Sequence, residues 1–283
     1  MRQLRNCESS QLFTGVSKCP PDFGKMLGAI LVKPGTKLPT NLTAEQLEEL
    51  AHADRTERIY GIVGFNEYAK NGGEMQTAAN GYGPTLATGV SARMDTFTLD
   101  KFYPELDSSL TKTANTAWDV YFIDEDFNLH GMNDGTDTLA GYPMGSVYSD
   151  STPIPTSSAA ATMNVVFCHK NAKQAKIKFD YQPLGFDPFG LVLGLTPVKL
   201  GKTGDTGNSY KIYEATGGND VTAIYGPLIA EAGNTVISGT TTAVTYDEAN
   251  NTLTIASSGN AAIGLKSPKV LFANDIKGIE QVA

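Results

Sequence analysis

Apolar and polar positions alternate most clearly between Trp118 and Gly131, where Trp118, Val120 and Phe122 share one side of a strand-like run with Tyr121 and Ile123 between them. Aromatic and β-branched residues suit a pleated, half-buried surface. Asp124, Glu125 and Asp126 then supply polar side chains that bond their own backbone at a turn, and Phe127, Leu129 and a turn residue, Gly131, read as the returning strand. The pattern predicts a β-hairpin, and the rest of the chain is expected to be organised around it.

The same short period recurs elsewhere. Strands are predicted at 59–65 and 90–99, separated by the glycine-rich runs Asn71-Gly72-Gly73 and Gly81-Tyr82-Gly83-Pro84. A loop as long as 66–89 inside a compact domain is usually functional or an interaction surface. Beyond the hairpin come 139–148, a polar link at 149–161, strands at 163–169 and 176–181, a turn at 183–189 and a closing segment at 191–200. Helical spacing stands out once: Thr43-Ala-Glu-Gln46 forms a capping box and Leu47, Leu50 and Ala51 fall on one face, which predicts a helix over about 44–53. Residues 1–40 are punctuated by Pro20, Pro21, Pro34 and Pro39, and are expected to be an extended arm that cannot complete a sheet by itself.

From Gly201 to Ser209 the chain has a linker's composition. Past it, short strands are predicted at 210–213, 221–225, 235–237, 243–246, 252–255 and 269–272, with a turn at 247–251. The expected organisation is therefore an N-terminal arm and short helix (1–56), a β-sandwich or barrel core (57–200), a linker (201–208) and a small β-sandwich-like C-terminal domain (209–283). Composition supports a mainly β class, with 29 Gly, 12 Tyr and 12 Phe and few long amphipathic runs.

Charge narrows the function classes. A formal net charge of −8 argues against a protein that coats duplex DNA, which needs a basic face. The charge is unevenly spread: residues 90–142 carry three cations against ten carboxylates, a net of −7, and residues 165–202 carry six lysines against two aspartates, a net of +4. Opposite patches on one subunit can meet between copies, where complementary charge fixes register. The alternative reading is an ordinary solvated face. The three cysteines, Cys7, Cys19 and Cys168, form no disulfide framework and are expected as free thiols made in the cytoplasm. No apolar run approaches a membrane span, and the basic start at Arg2 and Arg5 is not followed by the apolar core of a secretory signal.

Candidate chemistry is thin. Asp124, Asp126 and Asn128 alternate like the start of a calcium loop, but Leu129 and Gly135 stand where that loop requires Gly and Glu, so the segment reads as a polar turn. Gly201-Lys202-Thr203 lacks the earlier glycine of a phosphate loop, since Thr196 occupies that place. Cys168 and His169 are adjacent on a predicted strand and point to opposite faces, so they cannot act together as nucleophile and base. The cysteines and histidines match no zinc spacing. No catalytic residue, metal site or cofactor is predicted.

The order Arg58-Ile-Tyr-Gly-Ile62, a glycine-rich loop, Met94 to Leu99, Trp118-Asp-Val-Tyr-Phe-Ile-Asp-Glu-Asp-Phe-Asn-Leu-His-Gly131, Asp134-Gly135 and Leu139-Ala-Gly-Tyr142 resembles virion structural proteins of tailed bacteriophages that infect Bacteroidetes. The likeness is strongest to tail-tube or tail-connector subunits. Ser267-Pro-Lys-Val-Leu-Phe-Ala273 and Ile276-Lys-Gly-Ile-Glu280 are similar to the closing segment of such proteins. The resemblance implies copies joined in rings, commonly sixfold, stacked into a tube through which DNA passes, with other virion proteins as partners and no catalytic residue. Within that reading, Asp95, Asp100, Asp107, Asp124, Glu125, Asp126, Asp134 and Asp137 are candidates for an acidic lumen that repels phosphate. Lys170, Lys173, Lys176 and Lys178 are candidates for a basic contact between subunits. Two other readings stay open: a different virion part, such as a neck ring, capsid decoration or head-fibre anchor, and a surface binding module using Tyr213, Tyr225 and Tyr246.

Overall fold

The structure, a computed structural model, describes residues 23–136, 138–152, 154–155, 160–203, 208–239, 241–257 and 263–282. It is mainly β, as the sequence pattern requires. The described residues form two compact units: those up to 44 with 59–192, and 45–58 with 193–282.

The first unit is built on an eleven-stranded antiparallel sheet. Its elements in chain order are β1 (Met26–Val32), β2 (Lys37–Pro39), β3 (Tyr60–Val63) and β4 (Phe65–Gly72), then β5 (Met75–Ala78) and β6 (Leu86–Val90), which pair as a separate ribbon. β7 (Arg93–Leu99), β8 (Trp118–Asp124), β9 (Asn128–Asn133), β10 (Thr138–Ala140), β11 (Tyr142–Thr152), β12 (Thr162–His169) and β13 (Phe179–Pro183) complete the set. Three helices precede or interrupt these strands: α1 (Ala44–Ala51), which belongs to the second unit from Glu45 on, α2 (Pro104–Lys112) and α3 (Ala172–Ile177).

β8 and β9 are the hairpin expected from the sequence, and β8 organises the sheet. One edge of β8 runs along β1, from Asp119 opposite Val32 to Asp124 opposite Met26. Its other edge is shared, with Trp118 to Val120 against β11 and Phe122 and Ile123 against β9. The strand is covered on both faces rather than one: Val120, Tyr121, Phe122 and Ile123 are all buried. Each large apolar side chain so buried contributes about 1.5–3 kcal/mol. Phe65, Phe97, Phe122, Tyr142 and Phe167 form the aromatic centre of this core, with Phe65 and Phe97 stacked at 4.4 Å between centroids. Gly131 is not a turn residue. It lies within β9, where a Cβ would stand 2.5 Å from the Ala140 carbonyl oxygen, so glycine allows β10 to approach.

The segment expected as an arm contributes to the sheet. β1 is shielded on both edges by β3 and β8, and β2 pairs β10 through Leu38 and Leu139. Pro34 lies in the turn after β1 and Pro39 closes β2, where no interior ladder N–H is lost. Only residues 1–22 of the expected arm lie outside the described residues.

The second unit carries a five-stranded sheet of β14 (Thr196–Lys202), β15 (Ser209–Glu214), β17 (Thr241–Asp247), β18 (Thr252–Ser257) and β20 (Ile279–Gln281), with β16 (Ile237–Ser238) and β19 (Gly264–Leu265) paired separately. Two stretches expected as strands are helical here: α4 (Thr222–Ala232) and α5 (Pro268–Phe272). α4 starts where the Asp220 carboxylate accepts from the Thr222 amide, 3.0 Å, and its buried Thr222, Gly226 and Ile229 keep helical spacing. α1 packs in this unit. His52 accepts from the Gly278 amide, and the buried Arg58 donates to Glu280 at 2.8 Å beside Arg55 at 2.9 Å.

Candidate functional site

Along β7 the residues on one face are Arg93, Asp95, Phe97 and Leu99, two apart as a strand requires. β4 and β12 flank β7, so Tyr68 and His169 reach the same face. The Asp95 carboxylate, almost wholly buried, collects four bonds: Tyr68 Oη at 2.8 Å and Arg93 Nε at 3.0 Å on Oδ1, with Arg93 Nη2 at 2.8 Å and His169 Nε2 at 2.6 Å on Oδ2. Burial opposes the charge, but His169 and Arg93 outweigh it and hold the carboxyl below its ordinary range. Burial, reinforced by Asp95, pushes the Tyr68 phenol up to about 12.

A second buried pair sits at the hairpin end. Asp124 Oδ1 accepts from the amides of Asp126 and Asn128, 3.0 and 2.8 Å, as the sequence predicted for a self-bonded turn. Asp124 Oδ2 accepts from Asn128 Nδ2 and His130 Nε2, both 2.8 Å. Against the burial that raises it, these donors, His130 foremost, keep the Asp124 carboxyl low. A carboxylate only accepts, so His130 Nε2 carries the hydrogen of that bond. In the neutral ring Nδ1 is then left with a lone pair. His130 is 1% exposed, and Nδ1 has no hydrogen-bond partner among the described residues.

Both clusters border one cavity of about 180 Å³. Its walls are the side chains of Met26, Phe97, Phe122, Tyr142 and Phe179, and its polar groups come from Tyr68, Arg93, Asp95, His130 and His169. The lining holds the Asp95–His169 pair and His130, whose partner Asp124 is not itself part of the wall, and no serine, threonine or cysteine. Cys168 faces the other way toward Tyr148, and burial raises its thiol. No group of three or more metal-ligating side chains occurs among the described residues.

The eight carboxylates proposed for a lumen do not stay together. Asp95 and Asp124 are in the core, each spent on a histidine, so neither presents charge to a channel. The count of charges along the chain does not register such pairing. Asp100, Glu125 and Asp126 are exposed, Asp107 accepts from Ser149 and Ser151, and Asp134 is paired with Lys37, which holds its carboxyl low. Asp137 lies outside the described residues. The four lysines do come together: Lys173 and Lys176 on α3, with Lys170 before it and Lys178 at its end, are all exposed. Of the tyrosines weighed for a binding module, Tyr225 and Tyr246 pack against the second unit's core, and Tyr246 donates to Asn251 at 3.0 Å. The Tyr213 ring lies over Gly201.

The glycine-rich loop 66–89 is a β-ribbon. β4 and β7 continue into β5 and β6 across Gly72, whose φ is +75° and whose Cβ would meet the Ala92 carbonyl oxygen at 1.8 Å. All four residues of β5 are exposed, and Met75, Tyr82 and Leu86 are large apolar groups left in solvent. β6 passes alongside α3. No helix among the described residues is long and apolar enough to cross a membrane. Comparison with family models, with curated proteins and with solved structures gives no match.

Proposed function

We propose that this chain is a structural subunit of a tailed-bacteriophage virion, most like a tail-tube protein, whose copies join into stacked rings around a channel for genome passage. The observation that supports this reading is the β5–β6 ribbon. A lone two-stranded hairpin is marginal in water. This one holds Met75, Tyr82 and Leu86 in solvent, away from its own core, while β6 runs alongside α3. Apolar area on such an arm gains about 25 cal/mol per Å² when another surface covers it. A second copy of the chain supplies that surface in a homo-oligomer, and the sequence resemblance points the same way.

Negative-stain electron microscopy of the concentrated full-length protein tests the reading. Hollow rings or tubes are expected. Replacing residues 73–90 by a short turn should leave the first unit folded, by circular dichroism, and abolish the assemblies. Unchanged assemblies after that replacement would remove the arm from the interface, and a protein that stays monomeric at every concentration would sink the tube reading. Trimers or twelvefold rings would move the assignment to a capsid or neck component.

A further inference from the structure

We infer that the cavity between the two histidine–aspartate clusters is the acceptor for a tyrosine of a second copy of this chain, Tyr82 at the tip of the β5–β6 ribbon. The inference rests on the assembly reading above and names the contact through which it operates.

The cavity states what it takes. At about 180 Å³ it is slightly larger than an engineered apolar cavity of about 150 Å³ that holds benzene, so one six-membered ring fits. Its walls are chiefly aromatic, and aromatic rings pack well edge-on or offset. Its polar requirement is one hydrogen-bonding group, because the buried Nδ1 of His130 has no partner among the described residues and a hydroxyl can serve it in either direction. The Asp95 cluster on the other side asks for nothing more, its two oxygens already accepting four bonds. A ring bearing one hydroxyl matches this combination.

Three tyrosines are counted among the exposed large side chains. Tyr68 already gives its hydroxyl to Asp95, and Tyr103 gives its own to Asp100. Tyr82 remains, at 112% exposure in the turn between Asn80 and Gly83, with no hydrogen-bond partner among the described residues. Within its own chain the ring stands in solvent, so the phenol that enters the cavity belongs to a neighbour. The surroundings agree. Phe179 lines the cavity and is partly exposed, with Phe23 packed edge-on against it at 5.1 Å, and this apolar rim suits Leu86, which lies at the tip end of the ribbon with Tyr82.

The test has two arms. First, p-cresol and toluene are titrated separately into full-length Tyr82→Ala protein and followed by NMR of the aromatic side chains. Saturable binding of p-cresol is expected, tighter than toluene by about tenfold, the order that one net hydrogen bond supplies. No binding, or equal binding of the two, overturns the inference, and neither result depends on a variant in the cavity itself. Second, wild type, Tyr82→Phe and Tyr82→Ala are compared by sedimentation velocity. Assembly should weaken about tenfold for Tyr82→Phe, be lost for Tyr82→Ala, and be inhibited in the wild type by saturating p-cresol. Wild-type assembly that Tyr82→Ala leaves intact overturns the inference while the assembly reading stands. A wild type that never assembles defeats both.

Discussion

Two hairpins of the first unit, β8–β9 and β5–β6, differ in everything except their hydrogen-bond ladder. β8–β9 buries both faces: Tyr121 and Ile123 are fully enclosed, and the turn is tied by Asp124 to three of its own residues. β5–β6 buries neither face, carries Met, Tyr and Leu into solvent, and leaves the sheet across Gly72. The first is stabilised by the chain's own core. The second is presented by that core to something else. Pairing alone therefore does not say whether a hairpin serves the fold or the function; the fate of its apolar side chains does.

Substitutions should separate the two by size of effect. Phe122→Ala removes a ring packed against Phe97 and Phe167 and is expected to cost about 3–5 kcal/mol in denaturant-induced unfolding. Next, Asp95→Ala leaves Arg93 and His169 without their carboxylate and should cost about 3 kcal/mol by the same measurement, with Asp95→Asn recovering part of it. The acid side of the stability curve follows from the same buried groups. Asp95 and Asp124 are both held below their unfolded values, so the stability they contribute is complete above about pH 5 and is lost progressively as the pH falls through the unfolded value towards their folded ones. A pH series of unfolding midpoints should show that loss, and Asp95→Asn should flatten it. A curve of unchanged slope in the variant would deny the carboxylate its role.

Gly72→Ala forces a strained backbone and a clash with the Ala92 carbonyl, and should cost about 1–3 kcal/mol while redirecting the ribbon. Faster amide exchange at 73–92 than in wild type is the readout. Smallest of all, Leu86→Ala in the dispersed subunit should change unfolding by no more than about 0.5 kcal/mol, since the side chain is exposed there. A loss near that of Phe122→Ala would mean the ribbon is part of the core after all.

How much of this was legible varies with the reach of the interactions. The β8–β9 hairpin could be read because its cause is local, a dense aromatic run followed by a self-bonding turn. α1 could be read from its capping box. The start of α4 reads as a strand because Val221 to Tyr225 is rich in β-branched and aromatic residues, although Asn219 and Asp220 before it are a usable helix-starting signal. Ser267-Pro268 gave a similar signal ahead of α5. The site was mostly hidden. Asp95 and His169 are 74 residues apart, so nothing short of the sheet order brings them together, and counting carboxylates placed Asp95 on a surface it does not reach. Only the placing of Arg93 and Asp95 two apart, on the face that goes on to Phe97 and Leu99, hints at a buried pair.

β1 has one further consequence, for the order of events during synthesis. Its partner on one edge, β3, leaves the ribosome about 30 residues later, but Phe122, opposite Ala29 on the other edge, follows after more than 90. At about 5–20 residues per second, β1 waits roughly 5–20 s for the strand that closes it. A nascent chain stalled before Trp118 thus exposes the apolar ladder of Leu27 to Val32, and β8 is the segment whose arrival ends that hazard.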